Sequence, residues 1–306
     1  MTIHPMKTTT GILALAAVVA LGACSNDENQ PHTAAKYITV SASVGPMTLT
    51  RTVTDGVTTA FEPGDRISVY AWTGSADAVP SALVVDNSVN TYDGSAWIAD
   101  PQMLWADMGS AHYFLGIYPV RDVTDFTVDG YTIDVTDQEA SDLLVATNLK
   151  GLSANTATDG TVDLEFEHVM AKLIVNLNFR DQWGGTPEVS VVKAVSAAAS
   201  ATVNYLTTTA TAATDRQDIA LPGSTPADGY ALGYASVMIP QTGFNTISVT
   251  IAGQDYTYTH STDIPLVCGE YTTVNLIVGR NRIELGSMTV KDWEEGETID
   301  DGEAVD

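Results

Sequence analysis

Cysteine is nearly absent: the 306 residues contain two, Cys24 and Cys268. So few exclude a disulfide framework and a cysteine-rich zinc site, and stability has to come from a packed core. Basic residues are scarce as well, with 13 Lys and Arg against 38 Asp and Glu and a formal net charge of −25. Such a balance repels phosphate backbones and anionic lipid heads, which sets nucleic acid aside as a partner and leaves no polybasic contact with a membrane. The five histidines, at 4, 32, 112, 168 and 260, never fall at metal-ligand spacing. Catalytic signatures are missing too: there is no Gly-x-Ser-x-Gly elbow, no phosphate-cradling loop ending in Lys-Ser or Lys-Thr, and no His-Glu-x-x-His helix. The chain therefore reads as no enzyme, with no catalytic residue, no metal and no cofactor. A glycosidase-type carboxylate pair assembled only by folding stays open in a chain so rich in Asp and Glu.

A long hydrophobic run occurs once. Residues 11 to 23 are uncharged and apolar, preceded by Lys7 and followed by Cys24 and the polar Ser25-Asn26-Asp27-Glu28. The run is too short to span a bilayer as a helix and reads as the core of a signal peptide. Leu21-Gly22-Ala23-Cys24 matches the bacterial lipobox, in which small residues admit the lipoprotein signal peptidase and the Cys24 thiol takes diacylglycerol. The expected organisation is a lipoprotein signal peptide over 1–23 and a polar linker over 24–36, held to a membrane through lipid on Cys24. With Cys24 lipidated, Cys268 has no disulfide partner and reads as a small buried hydrophobe in a strand.

After the signal peptide no segment has amphipathic helical periodicity over three turns, and strand patterns take its place. Tyr37 to Val44 alternates, with Ile38, Val40, Ala42 and Val44 on one face. Further strand candidates are Arg66 to Trp72, Ala82 to Val85, Tyr113 to Tyr118, Leu143 to Ala146, Lys172 to Phe179, Glu188 to Val195, Ala201 to Leu206, Tyr230 to Ile239, Tyr271 to Val278 and Ser287 to Trp293. Asp129-Gly130 inside Phe126 to Val135, and Gly253-Gln254 between Asn245 to Ala252 and Asp255 to His260, read as hairpin turns. The alanine-rich stretch from Ala194 to Ala213 carries many threonines, which favour strand or loop. Roughly seven strands per half predict two β-sandwiches in tandem, 37–157 and 158–306, divided in the polar stretch Ser153 to Gly160. Trp72, Trp97, Trp105, Tyr113 and Phe114 read as core rather than as a sugar-stacking platform. His168 reads as a packed or hydrogen-bonded residue.

Several phrases in order, Phe61-Glu62-Pro63-Gly64-Asp65-Arg66-Ile67-Ser68-Val69-Tyr70, Tyr113-Phe114-Leu115-Gly116-Ile117-Tyr118-Pro119, Ser141-Asp142-Leu143-Leu144-Val145-Ala146 and Phe166-Glu167-His168-Val169-Met170-Ala171-Lys172-Leu173, resemble the fimbrillin family of Bacteroides-type bacteria. Val237-Met238-Ile239-Pro240-Gln241 and Val290-Lys291-Asp292-Trp293-Glu294-Glu295-Gly296 are similar to that family's second domain and C-terminal strand region. The resemblance implies a type V pilus subunit of all-β fold, with two transthyretin-like β-sandwich domains in tandem after a lipoprotein signal peptide. It implies a surface-exposed place at the cell outer membrane and in a fimbrium, and joining to other pilus subunits by strand exchange, as stalk, tip or anchor. It further implies a cut by a trypsin-like maturation protease after an arginine near the start of the first domain. Arg51, followed by Thr52, stands in that position. In the family the C-terminal strand is the donor; here the tail after Trp293 is acidic and poor in apolar residues, a departure from the pattern. The same fold would also serve a monomeric outer-membrane surface lipoprotein that binds glycan or host protein through loops at the sandwich ends. The anchor is tested by Cys24→Ala, which should abolish labelling by radioactive palmitate; undiminished label on the variant would sink the lipoprotein reading.

Overall fold

The computed structural model describes residues 37–45 and 61–292. Strands dominate them: β1 (Thr39–Val44), β2 (Arg66–Thr73), β3 (Val85–Tyr92), β4 (Trp97–Asp100), β5 (His112–Tyr118), β6 (Asp129–Thr132), β7 (Leu144–Leu152) and β8 (Thr161–His168) in the first half. The second half holds β9 (Ala171–Phe179), β10 (Val189–Ala198), β11 (Ser200–Asn204), β12 (Thr209–Ala212), β13 (Arg216–Leu221), β14 (Gly223–Ser224), β15 (Leu232–Met238), β16 (Thr246–Ile251), β17 (Gln254–Thr259), β18 (Glu270–Val278) and β19 (Ile283–Asp292). A single α-helical turn, α1, occupies Gln138–Ser141. The fold is all-β, and the stretch from Ala194 to Ala213, expected as strand or loop, is strand broken by a turn over 205–208.

Seven strands make one sheet in the order β1-β8-β7-β5-β2-β3-β4. Its pairs are antiparallel except β1 and β8, which run parallel. In β8 every second residue is buried, so Val162, Leu164 and Phe166 enter a core with Ile67, Val69 and Ala71 of β2 and Phe114 of β5. The alternate residues of β2 and β5, Tyr70, Trp72, Leu115 and Ile117, enter a second cluster that continues into the other half. Central strands buried on both faces read as near-continuous apolar runs. The sheet curls until its edges meet: Tyr37 bridges Leu104, and the Ile38 amide donates to the Met103 carbonyl at 3.0 Å.

In the second half the sheets β14-β15-β9-β18-β19 and β13-β10-β16-β17 enclose one core. Leu173, Val175 and Leu177 of β9 meet Val274, Leu276 and Val278 of β18 and, across the layer, Val192, Ile247 and Val249. Ala252 and Gly253, with φ of 51° and 79°, join β16 to β17. Both central residues have the positive φ of a tight two-residue hairpin, so the expected hairpin is present with its turn one residue earlier than Gly253-Gln254. The other expected hairpin is absent. Asp129 and Gly130 are extended residues of β6, opposite Val203 and Thr202 of β11 in a small sheet β12-β11-β6. The Asp129 carboxylate is taken up by Arg121 Nε at 2.7 Å and the Tyr205 hydroxyl at 2.6 Å, and pairing with β11 holds this Asp-Gly extended.

The chain leaves the first sheet at Val169 and Met170, both fully buried between β8 and β9. The stretch Ser153 to Gly160, expected as the boundary, is instead the connection from β7 to β8, and β8 beyond it pairs with β1 and β7. At the crossing His168 Nδ1 lies 2.8 Å from Asp142 Oδ1, so two of the family-like phrases meet in one hydrogen bond. Cys268 sits in the turn before β18 rather than in a strand, its thiol 3.7 Å from the His168 carbonyl. Burial pushes that thiol up to about 11, which keeps it protonated and unreactive near neutrality.

Gly116 in β5 is fixed by close approach. A Cβ there would stand 2.7 Å from Phe166 Cζ and 3.1 Å from Leu164 Cδ1. Gly116→Val overpacks the core beneath β8, a change that costs about 1–3 kcal/mol. Urea unfolding should show a lower midpoint at unchanged slope; an unchanged midpoint would mean that the core yields freely at this point.

Candidate strand-exchange groove

Strand β1 lies at the edge of its sheet, paired in register with β8 from Thr39 opposite Thr161 to Val44 opposite Phe166. Its alternation decides which face enters the protein: Ile38 is 2% exposed and Val40 6%, while Ala42 and Val44 are half-buried at the rim of the same core. At one end Trp105 Nε1 donates to the Tyr37 carbonyl at 3.2 Å, and the hydroxyls of Thr39 and Thr161 lie 3.0 Å apart. At the other, the Gly45 amide donates to the Phe166 carbonyl at 2.8 Å. Beneath β1 is therefore a groove between β8 and residues 103–105, with Met103, Trp105, Leu164 and Phe166 in the core that it closes. Full burial of Ile38 and Val40 contributes about 1.5–3 kcal/mol each. Any strand with the same alternation, from this chain or another, could satisfy both the ladder and the apolar floor.

Cys24, Arg51 and Thr52 lie outside the described residues. The structure does place the elements on either side of Arg51, with β1 ending at Val44 and β2 beginning at Arg66. The sequence reading missed the segment Met103 to Trp105 that closes the groove. No local pattern marks it, because its partner Tyr37 is 68 residues away. The strand β8 was legible in the strict alternation of Thr161 to His168, which the list of strand candidates omits.

At the C-terminal end, β19 begins at Ile283, four residues before the expected Ser287. The register with β18 shifts between Leu276, opposite Leu285, and Asn275, opposite Ser287, leaving Gly286 as the extra residue of a bulge. The bulge puts Leu285 and Met288 on one face despite their odd spacing, and both pack on the second core. Residues 293–306 lie outside the described residues.

The remaining candidates are structural. Trp72, Trp97, Trp105 and Phe114 are buried and Tyr113 half-buried, as expected of core. The Ala106 amide donates to His112 Nε2 at 3.0 Å, so the ring proton sits on Nδ1 and faces the Ser110 carbonyl at 2.9 Å. His260 Nδ1 is 2.6 Å from the Tyr258 hydroxyl. Among the described residues no three His, Cys, Asp or Glu side chains converge as metal ligands, and no helix is long and apolar enough to cross a membrane.

Among solved structures, the chain is similar to a candidate cell-adhesion protein from Bacteroides ovatus, with a TM-score of 0.64 and 18% identity over 86% of this chain and 99% of that one. A second candidate adhesion protein, from Bacteroides uniformis, gives 0.63 and 22% over 84% and 99%. A fimbrial protein from Bacteroides vulgatus gives 0.55 and 14% over 85% and 100%. At such identities the likeness is one of fold. No curated protein matches the chain. The model of fimbrillin-like proteins matches residues 50–293, which takes in every strand from β2 to β19, and the chain belongs to the fimbrillin-like family.

Proposed function

We propose that this protein is a structural subunit of a cell-surface pilus, assembled by strand exchange and supporting adhesion, and that it is not an enzyme. Family membership supports a pilus or adhesion role at the cell surface, and two tandem sandwiches joined at Val169 and Met170 are the organisation adopted here. The observation that carries the reading is the placement of β1. It is an edge strand whose ladder, among the described residues, is with β8, it closes a core with Ile38 and Val40, and it is followed by a segment that contains Arg51. A trypsin-like cut after Arg51 would leave β1 attached by noncovalent contacts alone. The same cut separates everything from Thr52 onward from Cys24, and so from a lipid anchor in the outer membrane. A donor strand from a neighbouring subunit then fills the groove. Because donor and groove lie on different parts of the chain, the contact is head-to-tail and propagates into a filament.

The donor in this scheme is β19, the edge of its own sheet. N-terminal sequencing of sheared surface filaments should read Thr52 first, and Arg51→Ala should leave a lipidated precursor that does not polymerise. Chains that still begin at Cys24 within filaments would rule the mechanism out. Truncation before Ser287 removes most of β19 but keeps Ile283 and Leu285 on the second core, so the monomer should fold while filaments disappear from electron micrographs; filaments built of the truncated chain would contradict the donor role.

A further inference from the structure

In a chain with so few basic residues, three arginines gather at one end of the second half. β9 and β18 run parallel and both end there, at Phe179 and Val278, roughly 30 Å along the strands from the β8 to β9 crossing at about 3.3 Å per residue. Arg180 follows β9, and Arg280 and Arg282 stand in the turn from β18 to β19. Arg180 and Arg282 both ion-pair with Glu284, from opposite oxygens. Their side chains remain 47% and 76% exposed. Arg280 has no ion-pair partner among the described residues. Its guanidinium lies over the Trp183 ring, 5.1 Å from the centroid, and its backbone amide donates to Gln182 Oε1 at 3.1 Å.

The support beneath these cations is built from fixed parts. Trp183 Nε1 donates to the Val278 carbonyl at 3.0 Å, the Arg180 amide donates to the same carbonyl at 3.1 Å, and the Gly279 amide closes the turn on the Arg282 carbonyl at 2.9 Å. Tyr256, at the start of β17, meets Trp183 edge to face at 5.7 Å. The result is an exposed guanidinium over the Trp183 ring, with Arg282 two residues further along the same turn and Glu284 shared between Arg180 and Arg282. A guanidinium offers parallel N–H donors that match a carboxylate in two-point contact. The half-buried rings of Trp183 and Tyr256 add an apolar rim of the kind a sugar's C–H face packs against. An acidic peptide would use the arginines but has no need of the rings.

We propose that this arginine and tryptophan pole is a binding site for carboxylated sugar units, uronic or sialic acid residues of an acidic polysaccharide, with Arg280 and Arg282 taking the carboxylate and the Trp183 and Tyr256 edge flanking the ring. The site deepens the adhesive reading above but does not require a pilus. It is on the second half, away from the β1 groove, so the purified unpolymerised chain should bind. Filaments without sugar binding would overturn the site alone, and binding without filaments would leave it standing.

The experiment is titration calorimetry of the full chain with polygalacturonate, using neutral galactan and poly-glutamate as the other two arms. Polygalacturonate should bind in preference to both. The double variant Arg280→Ala with Arg282→Ala should bind about tenfold or more weakly, as expected when a charge-assisted pair is lost. Arg280→Lys, which keeps the charge and loses the fork, should fall between, and Arg66→Ala, an exposed arginine on β2, should bind as the parent does. Absence of binding to polygalacturonate, equal binding to poly-glutamate, or full binding by a folded double variant would each overturn the proposal.

Discussion

The parallel ladder between β1 and β8 is the contact on which the first core depends. Every other pair in that sheet is antiparallel, whereas β1 runs parallel to β8 and has on its other side, among the described residues, the Tyr37 to Leu104 bridge. Three strands, β8, β7 and β5, lie between β1 and β2 in the sheet, so no tight turn can join them and a long connection is built into the topology rather than added to it. That connection is where Arg51 lies. The edge placement of β1 and the length of the connection after it thus follow from one arrangement of strands.

The two cores divide the consequences. Ile38 and Val40 belong to the cluster enclosed by the curled first sheet, while Tyr70, Trp72 and Leu115 on the opposite face of that sheet belong to the cluster shared with the second half. The shared cluster is tied by polar bonds as well. The Tyr70 hydroxyl donates to the Arg121 carbonyl at 2.7 Å and accepts from the Val123 amide at 2.9 Å, and its burial pushes it up to about 12. Arg121 and Tyr205 converge on Asp129, which joins the connection after β5 to β11. Loss of β1 would therefore open one cluster and leave the other, at the junction between the halves, intact.

Period-2 alternation made much of this legible in advance. β1, β9 and the hairpin from β16 to β17 could be read from their own residues, because apolar side chains alternate with polar ones along each, even where, as at Lys172, Asn176 and Ser248, the polar residue is buried as well. β3 could not. Its inward residues Ser88 and Asn90 are polar yet fully buried, satisfied in part by Ser88 Oγ donating to the Pro101 carbonyl at 2.6 Å and Asn90 Nδ2 donating to the Ser88 carbonyl at 3.1 Å. An apolar alternation test passes over such a strand. Asp129-Gly130 misled in the other direction, since a turn-forming pair was drafted into a strand by a partner more than seventy positions away. The family phrases carried family identity without geometry; only the fold brings Asp142 of one to His168 of another.

The connection between Gly45 and Arg66 also acts as a tether. While it is whole, β1 competes for its groove as an intramolecular ligand, at the millimolar effective concentration that a short linker confers. Chain statistics put the entropy of bringing together two ends that many residues apart at roughly 3 kcal/mol, which the burial of Ile38 and Val40 can match. A cut after Arg51 would sever the tether and leave the same strand on the fragment from Cys24 to Arg51, joined to the rest of the chain by its ladder and its apolar face alone. Under the proposed exchange, a strand held close by a folded neighbour would have the higher local concentration and would take the groove by mass action, with no change in the groove itself.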